Sequence, residues 1–439
     1  MESKAGAAEV RFTPAYRSYV LAVLFLGYVV NVMDRSVLGV LVESIKLEFG
    51  ASDKLLGLLG GMAFALFYAT FGIPIAAWAD RSSRRNVLSL AVLMWSVMTA
   101  LCGLATTFWW LLLARIGTAV GEAGGTPPSH SLISDYFSLQ RRATALSLYA
   151  LGVPFGAMVG SYAGGWLNEL YGWRHAFILV ALPGVLVALL VRFTIVEPPR
   201  GHADQVAPSV ADAHAPRIPD VLRYLWSLRS FRHLCLAAGL HSFVWYAGST
   251  WNAPFLMRSH GMNSGQAGTW LAVFAAIGAI GTFAGGILAD RLSVLRGDRR
   301  WYMWVPGCAT LIMVPFQFSS YLASNLSWVI SSFCVMTVLA SFFFGPSFAM
   351  AQSLATLRMR AISTSLMLFI QTLIGLGLGP FFVGVISDHL NPTVGNQSLA
   401  YGLVIVGLVN LWAAAHYFRG ARSLREDLGT SERLGRATT

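Results

Sequence analysis

Charge is the scarcest commodity in this chain. Only 12% of its residues are Asp, Glu, Lys or Arg, roughly half the share found in soluble proteins. Acids are rarer than bases, 20 against 31. With 56% of residues hydrophobic, the chain has more apolar surface than a water-facing fold could bury, so its solvent must be lipid. The four cysteines, Cys102, Cys235, Cys308 and Cys334, stand apart with no C-x-x-C pair. That argues against a disulfide framework, a zinc ribbon and a haem attachment site, and the thiols read as inert and buried. A Gly-rich phosphate loop, a metal-ligand cluster and a nucleophile–base constellation are also missing, so neither enzyme chemistry nor a cofactor is expected. Residues 1–15 contain no apolar core. A cleavable signal peptide is therefore not expected, and the first span would serve as the insertion signal.

Long apolar windows are abundant. A span needs about 20 residues at about 1.5 Å rise. Such windows fall at about 16–41, 54–79, 86–106, 108–132, 143–168, 174–196, 232–257, 266–290, 302–322, 326–350, 362–387 and 398–418. This makes twelve. Basic residues orient them. With the N-terminus inside, 25 of the 31 Lys and Arg fall on the cytoplasmic side, and Lys46, Lys54, Arg174 and Arg258 fall opposite. Only Arg35 and Arg115 remain, both within spans. The net charge of +11 is thus a topology signal and not a nucleic-acid footprint. A multi-pass protein of the cell (inner) membrane with both termini cytoplasmic is expected.

The polar segment 197–231, with "EPPRGHADQVAPSVADAHAPRIP", reads as a flexible linker. It separates an N-terminal tail (1–15) and a six-helix bundle (16–196) from a second bundle (232–418) and a C-terminal tail (419–439). The halves echo each other. "WADRSSRR" follows the second span and "LADRLSVLRGDRR" the eighth, with Asp80 and Asp290 210 residues apart. "RRATALSL" and "MRAISTSL" open the fifth and eleventh spans at a similar offset. Two loops repeated in order imply a duplicated six-helix unit.

These features resemble the major facilitator superfamily. "AAWADRSSRR" keeps Asp80, Arg81, Arg84 and Arg85 of its loop motif, with Ala76 and Ser83 where the motif has glycines. "GGILADRL" keeps Gly286, Asp290 and Arg291. "GVPFGAMVGSYAGG" is similar to a glycine-rich antiporter signature, and "YGWRHAF" fits the family too. Two stretches, one from "NVMDRSVLGV" to "AAWADR" and the other "ARIGTAVGEAGGTPPSHSLISDYF", resemble the Spinster branch of lysolipid and sphingosine-1-phosphate transporters. The resemblance implies an all-α membrane protein of twelve transmembrane helices in two pseudo-symmetric bundles. It further implies a functional acid at Asp34 and an arginine and acid at Arg115 and Glu122. It makes Asp80, Arg81, Arg84, Asp290 and Arg291 gate residues, with Asp80 facing Arg84, that lock the inner side when the transporter opens outward.

The intramembrane charges carry the chemistry. One charge at a helix centre costs about 2.5–3.5 kcal/mol on insertion scales. Asp34, Arg35, Arg115 and Glu122 balance two against two, so convergence in a hydrated cavity is the cheap arrangement. Arg115 and Glu122 are seven residues apart, hence on one helix face about 10 Å apart. Asp34 is expected to sit about 10 Å below the outer end of its span and to pair with Arg115, with Glu122 deeper and without a fixed partner. Gly117, Gly121, Gly124 and Gly125 keep the fourth helix slim. Asp34 and Glu122 are expected to carry the coupling proton against Arg115. Arg35, with Arg115, Tyr68 and His241, is expected to bind substrate, the guanidinium suiting an anionic head group. The plain alternative is a fixed ion-pair clamp and, for Arg35 and His241, structural packing.

The expected function is proton-coupled alternating-access transport of an amphipathic lipid, such as a lysophospholipid or sphingoid phosphate, by a monomer. H+ would be the coupling ion. Another organic anion, a sugar or a drug remains the alternative cargo on the same fold.

Overall fold

The computed structural model describes residues 12–203, 217–356 and 359–437. The expected N-terminal tail up to residue 11, the middle of the expected linker, Arg358 and the last two residues lie outside the described residues.

Helix ends follow local chemistry. Thr13 caps the first span, Pro14–Phe49, by accepting from the Tyr16 N–H, with Pro14 preorganised at the first turn. Gly50 ends that span at φ 60°, the left-handed conformation favouring glycine. Ser52 caps the second span, Asp53–Arg81. Asn263 and Gln266 form a reciprocal capping box at Ser264–Arg296, the eighth span. The third, seventh, ninth and tenth spans are Arg84–Gly103, Arg229–His260, Trp301–Leu322 and Leu326–Ser353.

Among the described residues, eight helical stretches are long and apolar enough to cross a membrane by length and composition. Two of these are double. Leu139–Thr194 turns at Gly172 (φ 81°), separating the fifth and sixth spans. The run from Arg360 breaks around Gly395, separating the eleventh and twelfth. The fourth span, 108–136, is interrupted at Gly124, just before Pro127 and Pro128. Together with the more polar Arg229–His260, it completes the twelve. The first span runs eight residues further than expected, to Phe49. Asp34 therefore lies about 22 Å from its end instead of about 10 Å.

Spans one to six and seven to twelve form two bundles. The contacts between them gather at the face remote from the chain termini, here called the far face. There, glycines let backbones touch. A Cβ on Gly165 of the fifth span would stand 2.4 Å from the Ser264 carbonyl oxygen of the eighth, and one on Gly57 of the second 2.5 Å from Pro380 O of the eleventh. Short π-helical segments, Leu58–Met62 and Gln371–Leu378, face each other across that second contact. Toward the terminal face the bundles part. A Cβ on Gly72 or Gly286 would meet nothing within 4 Å.

The expected linker and tail are more structured than their polarity suggests. Ile218–Ser227 is an amphipathic helix that buries Val221 and Leu225. The last span continues as a helix to Ala437. Its Leu424 and Leu428 join Val221, Leu225, Leu354 and Ala355 in one cluster. Asp427 accepts from the Ser230 N–H (2.7 Å) and Arg425 pairs with Asp298 (2.9 Å). Hydrophobic burial, invisible in mean polarity, organises both segments.

Candidate functional site

Asp34 and Arg35, adjacent in sequence, diverge by about 100° around the helix. Asp34 is fully buried and turns to the third span, where Thr99 Oγ1 donates to its Oδ2 at 2.9 Å. Arg35 turns to the second and fourth spans. Its Nε pairs with Glu122 Oε2. Its guanidinium lies over Tyr68 (4.8 Å) and Phe64 (5.1 Å). Arg115 approaches the same Phe64 ring at 5.1 Å, and its Nη1 donates to the Asp34 backbone oxygen at 3.4 Å.

The expected pairing is therefore corrected. Among the described residues no ion pair joins Asp34 to Arg115, and Glu122, expected to lack a partner, is held by Arg35. The cause is rotational: the face opposite Glu122 is occupied by Arg35. The site is polar yet under-bonded. Asp34 Oδ1, Glu122 Oε1 and Arg115 Nε are buried with no hydrogen-bond partner. The side chain of Glu122 is wholly buried while that of Arg35 is 28% exposed, so the arginine is the accessible member of the pair. Around it, Phe64, Phe67, Tyr68, Tyr246 and Leu376 form a small apolar cluster drawn from both bundles.

The expected slimness of the fourth helix has a visible use. Cβ atoms on Gly117 and Gly121 would strike Met98 and Trp95 of the third span at 2.6 and 2.7 Å. These contacts seat Arg115 and Glu122 against the wall that carries Asp34.

His241 does not join the site. It is 1% exposed, with Nε2 2.9 Å from the Ala340 carbonyl, Nδ1 3.2 Å from Thr310 and its ring on Phe343. It packs spans within the second bundle, so its expected substrate role is withdrawn for this state.

The expected gate residues lie at the open terminal face. The side chain of Asp80 is 73% exposed, with Arg200 4.0 Å away. Arg81 and Arg291 are exposed, and Asp290 accepts from Tyr302 at 2.6 Å. Arg84 does not face Asp80. It is buried, pairs with Asp135 and Glu197, and donates to the Pro198 carbonyl at 2.8 Å. Burial pushes the Glu197 carboxyl up, but the Arg85 N–H, Arg84 and Ser83 outweigh it and hold it below the usual range. Arg84 thus fastens the start of the linker to the first bundle.

The ionic lock of this state sits at the far face, among residues that the charge distribution alone leaves as a minority on the base-poor side. Arg258 makes a bidentate pair with Asp53 (2.7 and 2.9 Å) and reaches Glu43 at 2.7 Å. Lys46 and Ser387 also bond Asp53, both at 2.6 Å. Asp388 of the eleventh span accepts from the Asp53 and Lys54 N–H groups at 2.9 and 2.8 Å, capping the second span from the other bundle. The hint in sequence was an arginine and acids placed at span ends on that side.

Two helical bundles, a charged cluster near their junction and an ion-pair cluster joining them on one face have the architecture of a membrane transporter. The chain belongs to the major facilitator superfamily, whose family profile matches residues 24–380. Within it, an MFS-type efflux pump of Mycolicibacterium smegmatis is 31% identical over 93% of both chains. The mouse sphingosine-1-phosphate transporter SPNS2 is 27% identical over 92% of this chain and 78% of its own. A crystal structure of a bacterial homologue of the human lysosomal transporter Spinster, inward-facing and unoccupied, superposes with TM-score 0.87 at 34% identity, covering 95% of this chain and 99% of that one. The chain is a transporter, not an enzyme.

Proposed function

We propose that this transporter couples proton movement to the passage of an amphipathic lipid with an anionic head group, acting as a monomer in the cell inner membrane with both termini cytoplasmic. The observation that carries the reading is the Arg35–Glu122 pair, whose cation is accessible and whose acid is buried with one oxygen unpartnered. A phosphate entering from the terminal face would take Arg35 by bidentate bonding. Glu122 would then be a buried acid without a counter-charge, and binding a proton is the cheap resolution. Asp34, bonded on one oxygen alone and facing no cation of its own, holds the second proton. Arg115 supplies the fixed positive field between them.

Phe64, Tyr68 and Tyr246 offer an apolar wall beside Arg35 for the first part of an acyl tail. The similarity to the sphingosine-1-phosphate transporter SPNS2 supports a lipid cargo, and a drug is the competing cargo on the same fold. Thermal unfolding of the purified protein separates them. Lysophosphatidic acid or a sphingoid phosphate should raise the melting temperature, while sugars should not. A shift with cationic dyes and none with anionic lysolipids would favour the drug reading.

A further inference from the structure

At the terminal face, the second bundle carries a hollow of ≈ 270 Å³, far more than one water fills. Four parts of the chain meet at it. Arg299 comes from the turn between the eighth and ninth spans and Arg360 from the start of the eleventh. Ser353, Ala355 and Thr356 come from the end of the tenth span, and Ser431 and Glu432 from the terminal helix. The floor is firm, because Ala355, 3% exposed, belongs to the apolar cluster that docks the terminal helix.

Local chemistry leaves both arginines unspent. Asp298 is taken by Arg300 and Arg425 at 2.8 and 2.9 Å, so the adjacent Arg299 has no acid. Arg360 opens the helix Arg360–Ile370, whose first turn no side chain caps. The positive end of that helix adds to the charge there. Among the described residues, neither arginine side chain has an ion pair or a hydrogen bond. Glu432 shares the hollow yet pairs with neither, and it sets one negative charge against two positive ones. Hydroxyl donors complete the lining. Thr356 stands on one wall, and Ser431, 5% exposed, on another. Behind Ser431, the buried Tyr224 hydroxyl has no partner at hydrogen-bond geometry. A serine that turned to accept from Tyr224 would keep its own hydrogen to donate into the hollow.

We propose that this hollow binds a phosphate group between the Arg299 and Arg360 guanidiniums. Arginine forks bond phosphate oxygens in pairs. A phosphate monoester carries about −1.5 to −2 charge at neutral pH and three acceptor oxygens, so it can answer both arginines and a hydroxyl, which a single carboxylate cannot. The site is separate from the Arg35–Glu122 cluster and does not depend on the cargo proposed above. Its phosphate can come from a lipid head group of the adjoining leaflet or from the free ion. Bound there, it would fasten the terminal end of the eleventh span to the terminal helix, at the face where the two bundles part.

Hydrogen exchange of the full chain over residues 421–434 tests this. In phosphatidylcholine nanodiscs, inorganic phosphate added at constant ionic strength probes the free ion. Nanodiscs in which phosphatidic acid replaces part of the phosphatidylcholine probe the head group. One or both should slow exchange saturably where chloride does not, and a response to phosphatidic acid alone assigns the site to a lipid. Arg299→Gln and Arg360→Gln should each weaken the apparent affinity about 10-fold or more, the loss of one charge-assisted contact. Arg422→Gln, which removes an exposed arginine of the same helix outside the hollow, should leave it unchanged. Parent-like exchange in the spans shows that the variants fold. No response to either probe, or an undiminished response in Arg299→Gln and Arg360→Gln, overturns the site. A response weakened as much by Arg422→Gln marks diffuse attraction to a basic surface and overturns it too.

Discussion

At the scale of single residues, the proposed function makes the site a competition for one guanidinium. Arg35 is shared between an acid that holds it now and an anion that would displace that acid. Replacing Arg35 with Ala should weaken binding of an anionic lysolipid by about 2 kcal/mol, roughly 30-fold, as expected for charge-assisted bonds. Arg35→Lys should recover only part of this, since a point charge lacks the fork. Titration of tryptophan fluorescence with lysophosphatidic acid would measure both. Equal affinity in parent and Arg35→Ala would remove Arg35 from the head-group site. The four charges were legible in the sequence because lipid makes each of them expensive. Their pairing was not. Sequence spacing gives the rotation of Arg35 relative to Asp34, but not which neighbouring helix stands in each direction, and so the spacing alone pairs Arg115 with Asp34 and leaves Arg35 without its acid.

At the scale of elements, small residues set how closely spans approach. Gly165 and Gly268 cross at the far face, where Cβ atoms would meet Ser264 O and Ser161 O at 2.4 and 2.3 Å. Gly165→Val should destabilise this closed far face by about 1–3 kcal/mol through overpacking. Spin labels on the fifth and eighth spans would then show the far-face distance distribution shifted outward, and an unchanged distribution would mean that this crossing does not limit closure. The terminal helix offers a separate test. Arg300 foremost, with Arg425, holds the Asp298 carboxyl down at about 2. Because the folded value lies below the usual one of about 3.9, the contribution is complete above that value and fades as pH falls toward 2. Asp298→Asn should speed hydrogen exchange over residues 421–434 at neutral pH, whereas the parent's protection factors, corrected for the intrinsic exchange rate, should stay flat between pH 7 and 5. Helix positions were readable from hydropathy to within a few residues at most ends. The exceptions have physical causes. The first span overran its apolar window because Glu43, Lys46 and Glu48 find partners at the far face, and Ile218–Ser227 was hidden in a polar stretch because only one of its faces is apolar.

At the scale of the whole molecule, the lock and the site are at different depths of one interface. Arg258 ties Glu43 and Asp53 across the bundles while Asp80 and Arg291 stand exposed at the other face. Truncating one partner of such a part-buried pair costs about 3 kcal/mol, a population shift of about 100-fold. Arg258→Ala should therefore open the far face, read as faster labelling of a cysteine placed at Thr250, which is buried against Gly60 in this state. An unaltered labelling rate would show that the latch is not what holds the face shut. The duplicated loops announced two bundles. The lock itself could not be read, since its members are scattered over four spans and meet only when those spans fold together.

The central claim is that Glu122 trades Arg35 for a proton as cargo binds. Flux of a labelled anionic lysophospholipid into proteoliposomes, with and without an imposed pH gradient, tests it most directly. The account predicts gradient-driven flux in the parent protein and gradient-independent flux in Glu122→Gln. A Glu122→Gln protein still driven by the gradient as strongly as its parent would contradict it.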